Sequence, residues 1–568
     1  MKVRFTSFIS FGVMPRFTVF RLVLASSIVA FAILNGHFAQ AQDINTVDWS
    51  SVVRYDSTDQ TNPYYLAPDP TITWSGIATS QADTVMNVDS ARANFGVTGS
   101  GLRIGVISDS FNVLNGAAAG ISSGDLPGVG NPSGFRSPVN VVKDANFGTD
   151  EGRAMAELIH DLAPGAEILF HSAFNNPGSA GTAPSTTIAN AIDSLRLAGA
   201  DIIVDDVAIL TAAKYQDGAA AQAVDRAFAA GIPYFSSAGN NGNNAYEGFQ
   251  KSSAPAAGFN DLHDFNLNPE NSFDQILNLG DVAPGGDLRA TLKWEDPYAS
   301  VGGTPSTDLS LSLLAFDSDG NFLDLVQADQ NQLAGADPFE FISITNPITD
   351  PIQVGLVVDR VAGDAAKLIS LEVFGSPIQD DSDTNSPTIH GHNAARGAVS
   401  VAAQFFGDAG LDEVEAFSAE GPTTILFDLA GNPLDVPEFR ATPLITGIDG
   451  TDTSFFPAEL ATDVDGNGFP NFFGTSAAAP HVAAVAALVL EEAENEGISL
   501  SPEQLYELLY ASTVDIESPG FDNRSGFGRL DAQLALSRVR LQVIPEPGTA
   551  TLLLIAGVWT IGTRRRKR

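Results

Sequence analysis

No cysteine occurs among the 568 residues of the chain. A disulfide framework, a thiolate metal site and a cysteine nucleophile are thereby excluded. Basic residues are scarce: 29 Lys and Arg face 68 Asp and Glu. Nine of the 29 fall in the first 41 and last five residues, so the stretch between carries about 48 excess negative charges. Such a chain repels nucleic acid and anionic membranes, and suits solubility, cation binding or a polyanionic or mildly acidic setting. Long apolar runs are missing as well. The stretches 22–34 and 549–563 are shorter than the roughly 20 residues a spanning helix needs. Histidine numbers only seven, a scarcity that becomes decisive below. What is present is 44% hydrophobic residues in periodic patterns, enough for two or three domains with sizeable cores.

The terminal segments read as addresses. Lys2, Arg4, Arg16 and Arg21 accompany the first apolar run, which is followed by Ala39-Gln-Ala41, the small-x-small pattern of a signal-peptide cleavage site. Residues 1–41 are therefore expected to direct export and be removed. At the other end Val543-Ile-Pro-Glu-Pro-Gly548 precedes the second apolar run and then Arg564-Arg-Arg-Lys-Arg568, a basic cluster that stays cytoplasmic. This tail, 543–568, resembles the PEP-CTERM sorting signal of Gram-negative bacteria that make exopolysaccharide. The resemblance implies transient anchoring by the tail, recognition of Pro545-Glu546-Pro547 by an exosortase-type enzyme, and delivery to the cell surface or an exopolysaccharide matrix.

Residues 42–85 are polar and turn-rich, with Pro63, Pro68 and Pro70, and are expected to form an N-terminal arm too short to fold alone. Over 86–265, strand candidates at 103–107, 168–170, 202–204 and 234–236 alternate with helical periods at 151–162, 186–198 and 219–230. This alternation predicts an α/β fold, a doubly wound parallel sheet with helices on both faces. Between 266 and 376 the helical periods vanish, and short alternating runs at 288–294, 309–315, 341–345, 353–358 and 368–373 predict an inserted all-β sandwich or jelly roll. The α/β pattern resumes over 377–540, with a strand at 397–402 and a long Ala-rich helix after residue 476.

Gly474-Thr-Ser-Ala-Ala-Ala-Pro-His-Val482 sets a serine in the first turn of that helix, where free backbone N–H groups and the helix dipole favour negative charge near its oxygen. A capping serine is the plain alternative. His481 is five residues on and roughly 140° around the helix, so it is expected to pack rather than to act as a base. Three further segments stand in a telling order: Ile104-Gly-Val-Ile-Ser-Asp-Ser110, Gly231-Ile-Pro-Tyr-Phe-Ser-Ser-Ala-Gly-Asn240 and Arg524-Ser-Gly-Phe-Gly-Arg-Leu-Asp-Ala532. With the serine segment they make the chain resemble the subtilases, a family of serine peptidases, across about 86–265 and 377–540. The resemblance implies a serine endopeptidase acting on polypeptide, with no required cofactor, Ser476 as nucleophile, Asp109 as catalytic acid and Asn240 as oxyanion donor.

The family's histidine is absent. Its segment reads Asp150-Glu-Gly-Arg-Ala-Met-Ala-Glu-Leu-Ile-His-Asp-Leu-Ala-Pro-Gly-Ala166. On a helix Glu151 shares a face with Ala154, Met155 and Leu158, so its carboxylate is expected to point inward. His160 lies roughly 180° around and about 13.5 Å along the axis, and cannot replace it. Glu151 resembles the glutamate that sedolisins, relatives of the same fold, carry a fixed distance before a turn similar to Ala163-Pro-Gly-Ala166. Where sedolisins have two further aspartates this chain has Met155 and Asn240. The resemblance implies Glu151 as general base with Asp109 as its partner. A proton shared between them would raise the pKa of Glu151 and favour acidic to mildly acidic pH. A rival from another class is a catalytically inactive subtilase-fold binding or matrix protein. A third reading is self-processing, with Ser476 acting once.

Two further features carry open readings. Asp205 and Asp206, in Asp201-Ile-Ile-Val-Asp-Asp-Val207, end the strand expected to line the substrate cleft, where they select a basic side chain, repel substrate, cap a loop or bind a cation. Asp463, Asp465 and Asn467 have the oxygen spacing of an EF-hand-type loop, but its twelfth position is Gly474 instead of glutamate. That loop is expected to be a partial structural Ca²⁺ site or a solvated turn. His390 and His392 are expected to be structural.

Overall fold

The computed structural model describes residues 76–174, 185–253, 258–266, 274–365, 367–379, 384–457 and 463–543. The export segment, most of the arm and the sorting tail lie outside the described residues.

Short apolar runs become the strands of a central sheet: β1 (Arg103–Ser108), β2 (Asn140–Lys143), β3 (Glu167–Ser172), β4 (Ile202–Asp205) and β5 (Tyr234–Ser237). The strand order is β2-β3-β1-β4-β5, followed by Ala398–Phe405, Ile445–Asp449, Arg529–Leu530 and Thr513–Val514. Every neighbouring pair is parallel except the last. After β1 the chain winds to one side through β2 and β3, then crosses to build β4 and β5 on the other. The carboxyl ends of β1 and β4 therefore flank the crevice where open α/β sheets place their sites. β2 was not anticipated because all four of its residues are exposed at the sheet edge, so it shows no alternation.

Helices cover both faces. Ser185–Leu197 and Ala219–Ala229 share one core with the sheet, and Glu151–Leu162, Thr475–Asn495, Pro502–Tyr510 and Ala532–Val543 share the other. Thr475–Asn495 is the one helix among the described residues long and apolar enough to cross a membrane. It is instead the buried core helix, every residue from Thr475 to Val489 being buried, and its alanines let it lie close on the sheet. A Cβ on Gly447 would stand 2.5 Å from the Ala478 carbonyl oxygen.

The Glu151–Leu162 helix corrects the expectation of a single apolar face, since every residue after Glu151 is buried. Its polar side is covered by other parts of the chain. Glu157 accepts from Ser454 N and Oγ at 2.8 Å, Asp161 from Ser80 N at 2.8 Å, and Arg153 donates to the Phe111 carbonyl. Ser80 and the buried Met86 thus belong to the core, although the arm was drawn through residue 85.

Two four-stranded antiparallel sheets lie between β5 and Ala398–Phe405. One runs Phe322–Ala328, Thr307–Phe316, Gln353–Gly363, Leu277–Asn278; the other runs Phe339–Thr345, Asp287–Trp294, Leu368–Phe374, Ala245–Phe249. Their inner faces meet in one core that includes Trp294, Leu311, Leu356 and Leu371. The sequence boundary at 266 leaves out Ala245–Phe249, which pairs with Leu368–Phe374.

Candidate active site

β1 and β4 run in parallel register with Ile107 opposite Asp205, so the next residues, Ser108 and Asp206, leave the sheet side by side. Ser108 Oγ donates to Asp206 Oδ2 at 2.8 Å. The helix beginning at Glu151 points its first turn over this end of the sheet, and a Cβ on Gly152 would meet the Phe170 ring at 2.2 Å. Glycine thus permits the approach. Asp150 takes a left-handed backbone, φ 61°. Its buried carboxylate accepts from Ser110 Oγ, Val113 N, Leu114 N and Arg153, which ties the loop after β1 to the helix start.

Asp109 serves the same junction. Its Oδ1 accepts from Glu151 N at 3.0 Å and from Ser110 N, and its Oδ2 accepts from Thr149 N at 2.5 Å and Thr149 Oγ1 at 2.7 Å. Four donors occupy its oxygens, so Asp109 acts on the Glu151 carboxyl through charge rather than through a shared proton. The group in hydrogen-bond reach of Glu151 is Asp206, together with Ser476 Oγ. Burial first, and then the charge of Asp109, push Glu151 up to about 7 against the hydrogen bonds from Ser476 and Asp206. Asp206 is raised well above the usual carboxylate range by burial and by the charges of Glu151, Asp109 and Asp205, against the Ser108 bond.

Ser476 is 7% exposed in the first turn of its helix. Gly474 precedes it with φ 111°, a backbone closed to ordinary side chains, and its N–H donates to Asp449 Oδ2 at 2.8 Å. Asn240 accepts from Thr475 N at 3.0 Å and Thr475 Oγ1 at 2.8 Å through its Oδ1. Its amide nitrogen is thereby turned toward the Gly474 side, where a Cβ would stand 2.9 Å from Nδ2. Asp109, Glu151, Ser476 and Asn240 are thus brought to one crevice.

Asp205 is corrected. It was read with Asp206 as a cleft residue, but it is wholly buried because alternation along β4 turns it to the opposite face. It accepts there from Val207 N, Ser236 Oγ and His392 Nε2 at 3.0–3.1 Å. The other described histidines are also held away from Ser476. His160 faces Asn131 and Phe135, His171 the Ser172 carbonyl, His263 Tyr246, His390 Lys293, and His481 Ser80 Oγ and the Ile448 carbonyl.

The Asp463–Asn467 loop closes on itself. Asp463 accepts from Asn467 N and Gly468 N at 2.9 and 2.8 Å, and Asp465 from the Gln81 and Asn467 amides at 3.1 and 3.0 Å. Donors occupy the oxygens a cation would need, and among the described residues no three acidic or histidine side chains converge as metal ligands. The arrangement fits a self-bonded turn, not a Ca²⁺ cradle. Ser108, Thr149, Asp150 and Thr475 escaped the sequence reading, because their roles depend on which strand ends and loops meet.

The model of the Subtilase family matches residues 441–528, a span that holds Ser476 but not Asp109, Glu151 or Asn240. No curated protein matches. Among solved structures, the CspB protease of Clostridium perfringens is similar over 81% of this chain and 99% of its own, at 15% identity and TM-score 0.50. MycP1 of Mycobacterium smegmatis is similar over 83% and 87%, at 14% identity and TM-score 0.34. The chain therefore has the α/β fold of the subtilisin-like proteases, with a subtilase-family match across its serine segment.

Proposed function

We propose that the chain is a serine endopeptidase that cleaves polypeptide through an acyl-enzyme on Ser476, with Glu151 as general base. The observation that carries this is the Glu151 carboxyl within hydrogen-bond reach of Ser476 Oγ, at the start of a buried helix. As Oγ bonds to the scissile carbonyl carbon, its proton passes to Glu151. The carbonyl oxygen, now negative, takes hydrogen bonds from Asn240 Nδ2 and from the helix N-terminus. Glu151 then gives its proton to the leaving amine, and water repeats the sequence to release the acyl group. Asp109 orients the base by holding its backbone N–H. The terminal segments support an exported protein, anchored for a time and then released to the cell surface or matrix.

A base with a pKa of about 7 is ionised above that pH, so the proposed working range is near neutral, higher than the sequence alone suggested. Fluorophosphonate labelling of Ser476, mapped by mass spectrometry, is expected to accelerate as pH rises through about 7 and to fall roughly tenfold per unit below it. Absence of labelling at every pH would favour an inactive binding protein. Asn240→Ala is expected to lower kcat for peptide hydrolysis by about 10²–10³-fold with KM little changed, measured by steady-state kinetics.

A further inference from the structure

We propose that Asp206 is the positioning residue of the base: anchored on Ser108, it keeps a proton and donates it to the Glu151 carboxylate, which accepts from Ser476 on its other side. The inference rests on reading Glu151 as the base.

Geometry carries it in three steps. The register of β1 and β4 fixes Asp206 beside Ser108, and the 2.8 Å bond from Ser108 Oγ engages Oδ2, leaving Oδ1 to meet Glu151. Asp109 has no free acceptor, as its four donors show. Finally, no cation balances the pair. The titratable groups that act on Asp206 are Glu151 from the helix, Asp109 beyond β1, Asp205 on its own strand and Tyr234 from β5, while His392 faces Asp205 instead. Two touching carboxyls in such surroundings hold one proton between them.

That proton belongs on Asp206. Glu151 gains a hydrogen bond from Ser476 Oγ and sits at a helix N-terminus, both of which favour its charge, whereas Asp206 has a single hydroxyl donor. The hydrogen bonds then run in one direction: Ser108 O–H to Asp206, Asp206 O–H to Glu151, Ser476 O–H to Glu151. During acylation only the Ser476 proton moves, to Glu151 and then to the leaving amine. Asp206 keeps its own and fixes which Glu151 oxygen faces the nucleophile. Ionisation of Asp206 removes the donor and sets a second charge beside the base, so activity is expected to fall again on the alkaline side.

The test follows labelling rates against pH in the mature chain, together with infrared spectra of protonated carboxyls. Asp206→Asn keeps a donor but cannot ionise, so its profile is expected to hold the acid limb and lose the alkaline one. Asp206→Ala is expected to label at least tenfold more slowly, with the acid limb at higher pH. Ser108→Ala removes a bond that favours ionised Asp206, and its alkaline limb is expected to move to higher pH. Above pH 7 the wild-type spectrum minus that of Asp206→Asn is expected to contain one protonated-carboxyl band. An alkaline limb that survives in Asp206→Asn, or the absence of that band, overturns the proposal. Wild-type labelling by Glu151→Gln would overturn the base assignment instead, and the infrared difference would still report on the Asp206 proton.

Discussion

Glu151→Gln is expected to slow fluorophosphonate labelling of Ser476 by about 10²–10⁴-fold at neutral pH, the range that removal of a general base produces. The substitution preserves size, so the helix start and its bond to Asp109 through Glu151 N should persist, and circular dichroism should match the wild type. What is lost is the lone pair that receives the serine proton. No other group is positioned to take over: Asp109 is filled by four donors, and the described histidines are held elsewhere, His481 driven down to about 4 by burial. Any residual rate should show no acid limb near pH 7, because the titrating group is gone. A variant that labels at the wild-type rate would mean that Ser476 is activated by other means or labelled without activation.

The candidate nucleophile and the residue in the base's position were legible because each lies on one continuous element. The Gly474–Val482 segment announces a helix start, and helical geometry alone removes His160 from contention. The partner of Glu151 was not legible in the same way. Asp109 was chosen because it ends a strand and resembles a family aspartate, but the contact between Glu151 and Asp206 depends on β4 being the neighbour of β1, a relation across 98 residues that no local pattern encodes. The same limit explains Asp205. Adjacent strand residues face opposite sides, but which side opens to the crevice is set by the helices laid on each face.

Strand prediction failed where burial was absent. Alternation marked Leu288–Trp294 and Leu309–Ala315 because one face of each enters the sandwich core, whereas Phe322–Ala328 is an edge strand with nearly every residue exposed and has no buried face to impose a period. The Glu151 helix erred in the other direction. Its polar residues suggested a solvated side, and they are instead buried against Ser80, Asn131 and Ser454, partners distant in sequence.

Glu372→Gln is expected to destabilise the protein by about 3–5 kcal/mol at pH 7, the cost of leaving buried charge without its partner. Glu372 lies on the Leu368–Phe374 strand of the sandwich and is 1% exposed. It meets Lys293 at 3.5 Å from the adjoining strand, Lys214 at 3.2 Å from the loop after β4, and His390 at 3.4 Å from the segment that returns to the α/β core. Burial alone would raise its pKa, but the positive charges of His390, Lys293 and Lys214 hold it at about 2. Burial drives His390 down to about 3, so near neutrality the two lysines do most of this. Glutamine cannot neutralise them. Lys293, wholly buried and already lowered by burial to about 8, would lose the attraction that keeps it charged and titrate at lower pH still. A lysine whose folded pKa lies below its unfolded value is less of a burden once deprotonated, so the deficit should shrink as pH rises above about 8. Urea unfolding of wild type and variant at pH 7 and pH 10 measures both terms, and an equal deficit at the two pH values would rule out buried lysine charge as its source. Because the cluster joins sandwich strands to the loop that follows β4, the same substitution should also speed proteolysis between the sandwich and the Ala398–Phe405 strand, exposing that joint before the central sheet gives way.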